Sequence, residues 1–207
     1  MIDLTKTGDL WIATINRPDK ANSLTKDMLG DLRDIARDAT AAKALILTGN
    51  GKVFSAGADL DEARAGLAVD GIWEDLSGAL AAAPCLTIAA LNGTLAGGAF
   101  GMALACDLRV SVPNANFFYP VMKLGFLPQP SDPTRMSRLI GPARTKMILM
   151  AGQKIDALTA YDYGLIDQLC APELLMQTAQ DLSQTVLGAD PSHISAIKSM
   201  CNVDQTS

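Results

Sequence analysis

Polar and apolar positions alternate in the second half of LTKTGDLWIATI, which reads as two strands around a turn at Gly8. The next pattern is helical. In TKDMLGDLRDIARDA, residues Met28, Leu29, Leu32, Ile35, Ala36 and Ala39 share one face, with Thr25 as N-cap. KALILT and LTIAAL are short, unbroken apolar runs, read as buried strands. VFSAGADLDEARAG reads as a strand running through Gly57 into a short helix, and Ile72 to Leu80 reads as helical. DLRVSV and ANFFY flank a turn at Pro113-Asn114, and LGFLPQP reads as a loop. Asp132 followed by Pro133 reads as an N-cap and first helical residue for a helix through Ile140. Further helices are expected near Pro142–Met150, Leu158–Tyr163 and Glu173–Val186, then one last helix and a polar tail. Strands alternating with helices argue an α/β fold.

The most apolar window, ALAAAPCLTIAALNGTLAGGAFGMALAC, is broken by Pro84 and by Asn92-Gly93-Thr94. It reads as a buried strand and a buried helix rather than a membrane span. The N-terminal MIDLTKTGDLWIATINRP has no basic stretch leading into an apolar one, so a soluble, cytoplasmic setting is expected.

One internal echo bears on chemistry. KALILTGNGKVFSAGAD and CLTIAALNGTLAGGAF each carry an apolar strand to a glycine and then a helix start. Side by side, the two turns would each offer a backbone N–H, from Ala58 and from Gly98. Two such donors converging on one oxygen make an oxyanion hole. Close packing of helix on sheet also calls for glycine, so spacing alone leaves both readings open.

Composition narrows the classes. Apolar residues make up 49% of the 207, a globular rather than disordered balance. Net charge is −5 with scattered Lys and Arg, which gives no nucleic-acid footprint. Cys85, Cys106, Cys170 and Cys201 are far apart with no CxxC, so neither a zinc site nor a redox pair is suggested, and they read as small core residues. GTLAGGAFG is not GxGxxG, which argues against a dinucleotide-dependent oxidoreductase. The single histidine, His193, lies near the C-terminus, and no GxSxG elbow occurs.

Four segments together resemble the crotonase, or enoyl-CoA hydratase/isomerase, family: NRPDKANSLTKDML, LILTGNGKVFSAGADL, IAALNGTLAGGAFGMALACDLRV, and LGFLPQPSDPTRMSRLIGPARTKMILMAGQKIDALTAYDYGLIDQL. The resemblance covers nearly the whole chain. It implies an α/β spiral of ββα units with two roughly perpendicular sheets and a helical C-terminus, as a core over 1–190 and a short helix and tail over 191–207. It implies a homotrimer or dimer of trimers, and a substrate carried as a coenzyme A thioester, with no separate cofactor, metal, nucleic acid or membrane partner. By motif position the thioester oxygen would sit between the N–H groups of Ala58 and Gly98. Ala56, Ala58, Asp59 and Leu60 would cup the adenine and pantetheine, with Lys20, Arg17 and Lys52 in loops near the phosphates.

The resemblance also shows departures. Family hydratases carry one glutamate three residues after the oxyanion glycine, where this chain has Gly101, and another after the proline of F-x-x-P, where it has Val121. Syn hydration needs paired carboxylates to activate water and protonate carbon. The expectation is therefore non-standard chemistry on an acyl-CoA (isomerisation, hydrolysis, decarboxylation or carbon–carbon cleavage) or, alternatively, a catalytically inactive acyl-CoA-binding or assembly member. Asp132 is the candidate replacement acid/base, against its reading as a plain N-cap. Tyr119 offers a phenol one residue before the proline of FFYP and is read as core. Asp59 is read as capping or pairing locally, and Glu74 and Asp75 as a solvated face. Family members commonly continue past SHISAIKSM with one or two more helices. The sequence here ends at Ser207, which leads us to expect a smaller interface.

Overall fold

The computed structural model describes residues 1–202. Two mixed sheets organise it. The first runs β1 (Ile2–Thr7), β2 (Leu10–Ile15), β3 (Ala44–Gly49), β5 (Leu86–Leu91), β7 (Leu108–Ser111) and β10 (Gln168–Leu169), in that spatial order. The second runs β4 (Val53–Ser55), β6 (Thr94–Ala96), β8 (Asn116–Phe118) and β9 (Ile155–Asp156). β1 and β2 form the antiparallel hairpin expected around Gly8, whose φ of +59° suits glycine. β3 and β5 lie in the middle of their sheet, parallel to both neighbours, and are apolar on both faces.

α1 (Lys26–Asp38) starts as expected: the Thr25 hydroxyl accepts from the Met28 N–H at 3.3 Å, and Met28, Leu29, Leu32 and Ala36 are buried. α2 (Leu60–Arg64) is capped by Asp59, and α3 (Ile72–Ala82) packs on both α1 and α4 (Phe100–Ala105). α5 (Val121–Leu124) opens the loop that reads as coil from sequence. The two helices expected at Asp132–Ile140 and Pro142–Met150 form one stretch, α6 (Asp132–Leu149), broken at Gly141, where φ is +79° and ψ 160°. α7 (Ala157–Tyr163), α8 (Leu175–Leu187) and α9 (Pro191–Cys201) complete the chain. Residues 203–207 of the expected polar tail lie outside the described residues. Among the described residues, no helix is long and apolar enough to cross a membrane.

The fold's repeated step from first sheet to second is held by polar side chains. Asn92 Oδ1 accepts from the Gly49 N–H and its Nδ2 donates to the Gly51 carbonyl, tying the turn after β5 to the turn after β3. Asn22, fully buried with φ +53°, donates to the Asn50 and Val53 carbonyls. Beside Asn92, a Cβ on Gly93 would overlap the Lys52 carbonyl. Gly93→Ala is therefore expected to lose stability toward the upper end of the ~1–3 kcal/mol seen for overpacking, read as a lowered urea midpoint with unchanged slope. An unchanged midpoint would show that the turn can open freely.

Ion pairs close the far end of the first sheet. Arg109, 3% exposed, pairs with Asp167 at 2.9 Å and donates to the Leu165 and Cys106 carbonyls. Lys198 reaches from α9 to Asp107 at 2.8 Å and to the Cys85 carbonyl. Cys85 and Cys106 are buried, as expected, and burial pushes their thiols up to about 11 and about 12. Cys201 departs from that expectation. It ends α9 and is exposed.

Candidate active site

The two glycine turns do come together. β4 and β6 pair in parallel, which carries the turn at 56–59 alongside the turn at 97–99. Gly57, with φ +92°, approaches so closely that a Cβ on it would lie 3.0 Å from the Ala96 carbonyl and 3.5 Å from Gly97 Cα. Gly97 adopts φ +58°. Both positions need glycine for conformation as well as proximity.

The backbone around each candidate donor is fixed by its neighbours. The Gly57 N–H donates to Ser55 Oγ at 3.2 Å, and the Asp59 N–H donates to the Leu24 carbonyl at 2.8 Å, so the half-buried Ala58 lies between two bonded residues. Gly98 sits in the 3-10 turn Gly97–Ala99 that leads into α4. The first N–H groups of such a start have no partner within the helix.

The expected coenzyme-binding residues cluster around the first turn. Ala56 and Leu60 are exposed, and the Ala56 N–H donates to the Ala21 carbonyl, which brings the exposed Lys20 loop beside it. Asp59 behaves locally, as read from sequence. It caps α2 and pairs with Arg17 at 2.8 Å, and the Arg17 hydrogen bond holds its carboxyl below the usual carboxylate range. That pairing spends the Arg17 charge on the fold. Lys52 is exposed on the turn that packs against Gly93.

Asp132 is not an N-cap. It is the first residue of α6, Ser131 precedes the helix, and neither supplies a capping side-chain bond. The Asp132 side chain turns inward and is fully buried. Its Oδ2 accepts from the Tyr119 hydroxyl at 2.9 Å. Its Oδ1 has no hydrogen-bond partner and would lie 3.0 Å from a Cβ on Gly101. The carboxyl thus occupies the space above α4 that a side chain at 101 would enter. Tyr119 is core, as expected, 3% exposed and stacked on Phe100 with ring centroids 5.5 Å apart. The reading as core omitted that its hydroxyl holds the acid. Val121 begins α5 and is buried.

Burial pushes the Asp132 carboxyl up to about 7; the Tyr119 hydrogen bond and the Arg135 charge pull it down, while the negative Glu74 pushes it up. Burial also raises the Tyr119 phenol, and the charge of Asp132 adds to this, so Tyr119 stays protonated and acts as a fixed donor. With Oδ2 engaged, the proton that Asp132 carries near neutrality rides on Oδ1. A carboxyl poised near 7 can both give and take a proton there.

Glu74 corrects another expectation. It is not a solvated face. Its Oε1 accepts from the Ser131 N–H at 3.0 Å and the Ser131 hydroxyl at 2.9 Å, locking α3 to the start of α6 beside Asp132. Trp73 has no part in the sequence reading, because an aromatic residue in an amphipathic helix looks like core. It is 4% exposed and lies directly against Gly98.

Comparison with known proteins fits this geometry. Residues 6–207 match the model of the Enoyl-CoA hydratase/isomerase family. The chain is 34% identical to a carnitinyl-CoA dehydratase of Citrobacter koseri, over 95% of this chain and 78% of that protein. It is 32% identical to a short-chain-enoyl-CoA hydratase of Clostridium acetobutylicum, over 96% of this chain and 80% of that protein. Its structure is similar to that of an enoyl-CoA hydratase from Bacillus anthracis, with a TM-score of 0.88 at 30% identity, covering 97% of this chain and 82% of that one. Paired strands that bring two glycine turns into backbone contact, and a sequence match across nearly the whole length, have one common account: the chain belongs to the enoyl-CoA hydratase/isomerase family.

Proposed function

We propose that this chain is an acyl-CoA enzyme in which the Ala58 and Gly98 N–H groups hold the thioester oxygen and Asp132 moves the proton. The observation that carries this reading is Asp132 Oδ1: buried, without a partner, and placed over the helix that follows Gly98. As carboxylate, Asp132 takes a proton from the carbon next to the thioester. The electron pair of that C–H bond moves into the carbonyl, and the oxygen becomes an enolate held by two N–H donors. Neutral Asp132 then returns the proton to the same carbon or, where a β,γ double bond makes the enolate a dienolate, to the γ-carbon. Each donor to such an oxygen is worth about 3 kcal/mol.

This cycle serves isomerisation. In decarboxylation or carbon–carbon cleavage the enolate forms instead as CO2 or a carbonyl fragment leaves, with the C–C electron pair moving into the thioester, and neutral Asp132 then protonates the carbon left behind. A hydrolytic variant uses the same oxygen site. Hydration is a poor fit, because Gly101 has no functional group and Val121 is apolar, leaving one proton-transfer group where syn addition of water needs two. Lys20 and the backbone of Ala56, Asp59 and Leu60 would line the coenzyme A moiety. The enzyme is read as a cytoplasmic homotrimer or dimer of trimers.

The test is deuterium exchange. With butyryl-CoA in heavy water, the enzyme should place deuterium on the carbon next to the thioester, read by mass spectrometry, while crotonyl-CoA hydration stays at background. Binding without exchange would support the inactive acyl-CoA-binding reading instead. Strong hydration would mean that a second carboxylate reaches the site.

A further inference from the structure

The face of Gly98 opposite the backbone is covered by Trp73. A Cβ built on Gly98 would lie 3.3 Å from each of Cδ2, Cε2 and Cε3 of the indole. Three neighbouring ring atoms can be equally distant at that range only if the Cβ stands over the ring face. The indole therefore lies flat against the glycine that is to hold the thioester oxygen. It is also fixed in place: Nε1–H donates to the Leu67 carbonyl at 2.8 Å, in the 3-10 turn Leu67–Val69.

The same turn is tied to the other wall of the site. Gln129 Nε2 donates to the Ala68 carbonyl at 3.4 Å, and the Gln129 N–H donates to the Tyr119 hydroxyl, which itself donates to Asp132. Glu74, next to Trp73 on α3, holds Ser131, next to Asp132 on α6. The indole and the acid are thus parts of one hydrogen-bonded enclosure over Gly98–Gly101. Trp73 covers its first turn and Asp132 its second.

We propose that the Trp73 indole is the end wall of the acyl pocket, so that the enzyme selects short acyl groups. This rests on the acyl-CoA reading given above. An acyl chain leaving a thioester held at Gly98 meets a flat, buried ring whose position is fixed by a hydrogen bond. On this proposal a short acyl chain lies between that ring and Asp132. A longer one must displace the indole and break its bond to Leu67, leaving a buried N–H and a carbonyl unpaired.

The experiment is calorimetric binding of coenzyme A, acetyl-CoA, butyryl-CoA and octanoyl-CoA to the unmodified chain and to Trp73→Leu. The unmodified chain should bind butyryl-CoA ~10-fold or more tightly than octanoyl-CoA, and Trp73→Leu should reverse that order with coenzyme A affinity unchanged. The same ranking in both proteins, or a preference of the unmodified chain for octanoyl-CoA, would overturn the assignment while leaving thioester binding intact. Failure of every thioester to bind the unmodified chain would instead overturn the acyl-CoA reading and the wall with it. A second measurement keeps Trp73 in place, in case Trp73→Leu does not fold. The sequence has two tryptophans, and Trp11→Phe leaves Trp73 as the sole emitter. Butyryl-CoA should then shift its fluorescence, and heat of binding without any change in emission would overturn the proposal.

Discussion

Asp132→Asn should lower the rate of α-deuterium exchange by ~10²–10⁴-fold, the range expected when a positioned acid/base is removed. Asparagine can still accept from the Tyr119 hydroxyl and has nearly the shape of aspartate, so binding of butyryl-CoA should change little. The loss therefore falls on turnover and not on affinity. The pH profile gives a second readout. Exchange by the unmodified chain should rise as pH climbs toward and past about 7, where the Asp132 carboxyl becomes a base, and then level off. The slow residual exchange of Asp132→Asn should lack that inflection. Full turnover in Asp132→Asn would remove the residue from the chemistry. Lost binding together with lost turnover would make it a packing residue.

The same substitution should change how stability depends on pH. In the unfolded chain the carboxyl titrates near 3.8, and in the folded protein burial holds its proton up to about 7. Between those values the folded state binds more protons than the unfolded one, so the stability of the unmodified chain falls as pH rises. Below 3.8 the contribution is fully present, and above about 7 it is fully lost. The asparagine that replaces Asp132 has no proton to hold. The stability difference between the two proteins should therefore drift in favour of Asp132→Asn, by on the order of 4 kcal/mol over that interval. Urea unfolding across the same pH range measures it, and parallel curves for the two proteins would show that Asp132 is more hydrated than its geometry indicates.

Local pattern made most of the fold legible. The Thr25 cap, the Gly8 hairpin, the apolar β3 and β5 and the two glycine turns all follow from short-range rules of periodicity and turn chemistry. The close approach of the two glycine turns was legible for the same reason, since backbones that meet leave glycine as their mark. What failed to show were contacts between elements distant in sequence. Asp132-Pro133 has the signature of a helix start, and nothing local tells that Tyr119, 13 residues earlier, draws the carboxyl inward. Glu74 reads as solvent-facing until Ser131, 57 residues later, is found on it. Trp73 follows core periodicity and is indeed buried, so only its position against Gly98 distinguishes it. Buried polar partners and close ring contacts are set by tertiary packing, which leaves no periodic trace in the chain.

The closeness of Asp132 Oδ1 to Gly101 has a consequence for how sequences in this family can change. A glutamate side chain in place of Gly101 would begin 3.0 Å from an acid already in that space, and would bring a second carboxyl into the same buried site. Two arrangements would avoid that crowding: a glutamate on α4 with a small residue at 132, or this chain's glycine at 101 with its aspartate on α6. The single steps between them would not keep one acid in the site. Gly101→Glu alone crowds two acids together, and Asp132→Gly alone leaves no acid, so each single step is expected to be worse than both ends. The two positions should vary as a pair, and a protein at either end is held there by the other residue as firmly as by its own chemistry.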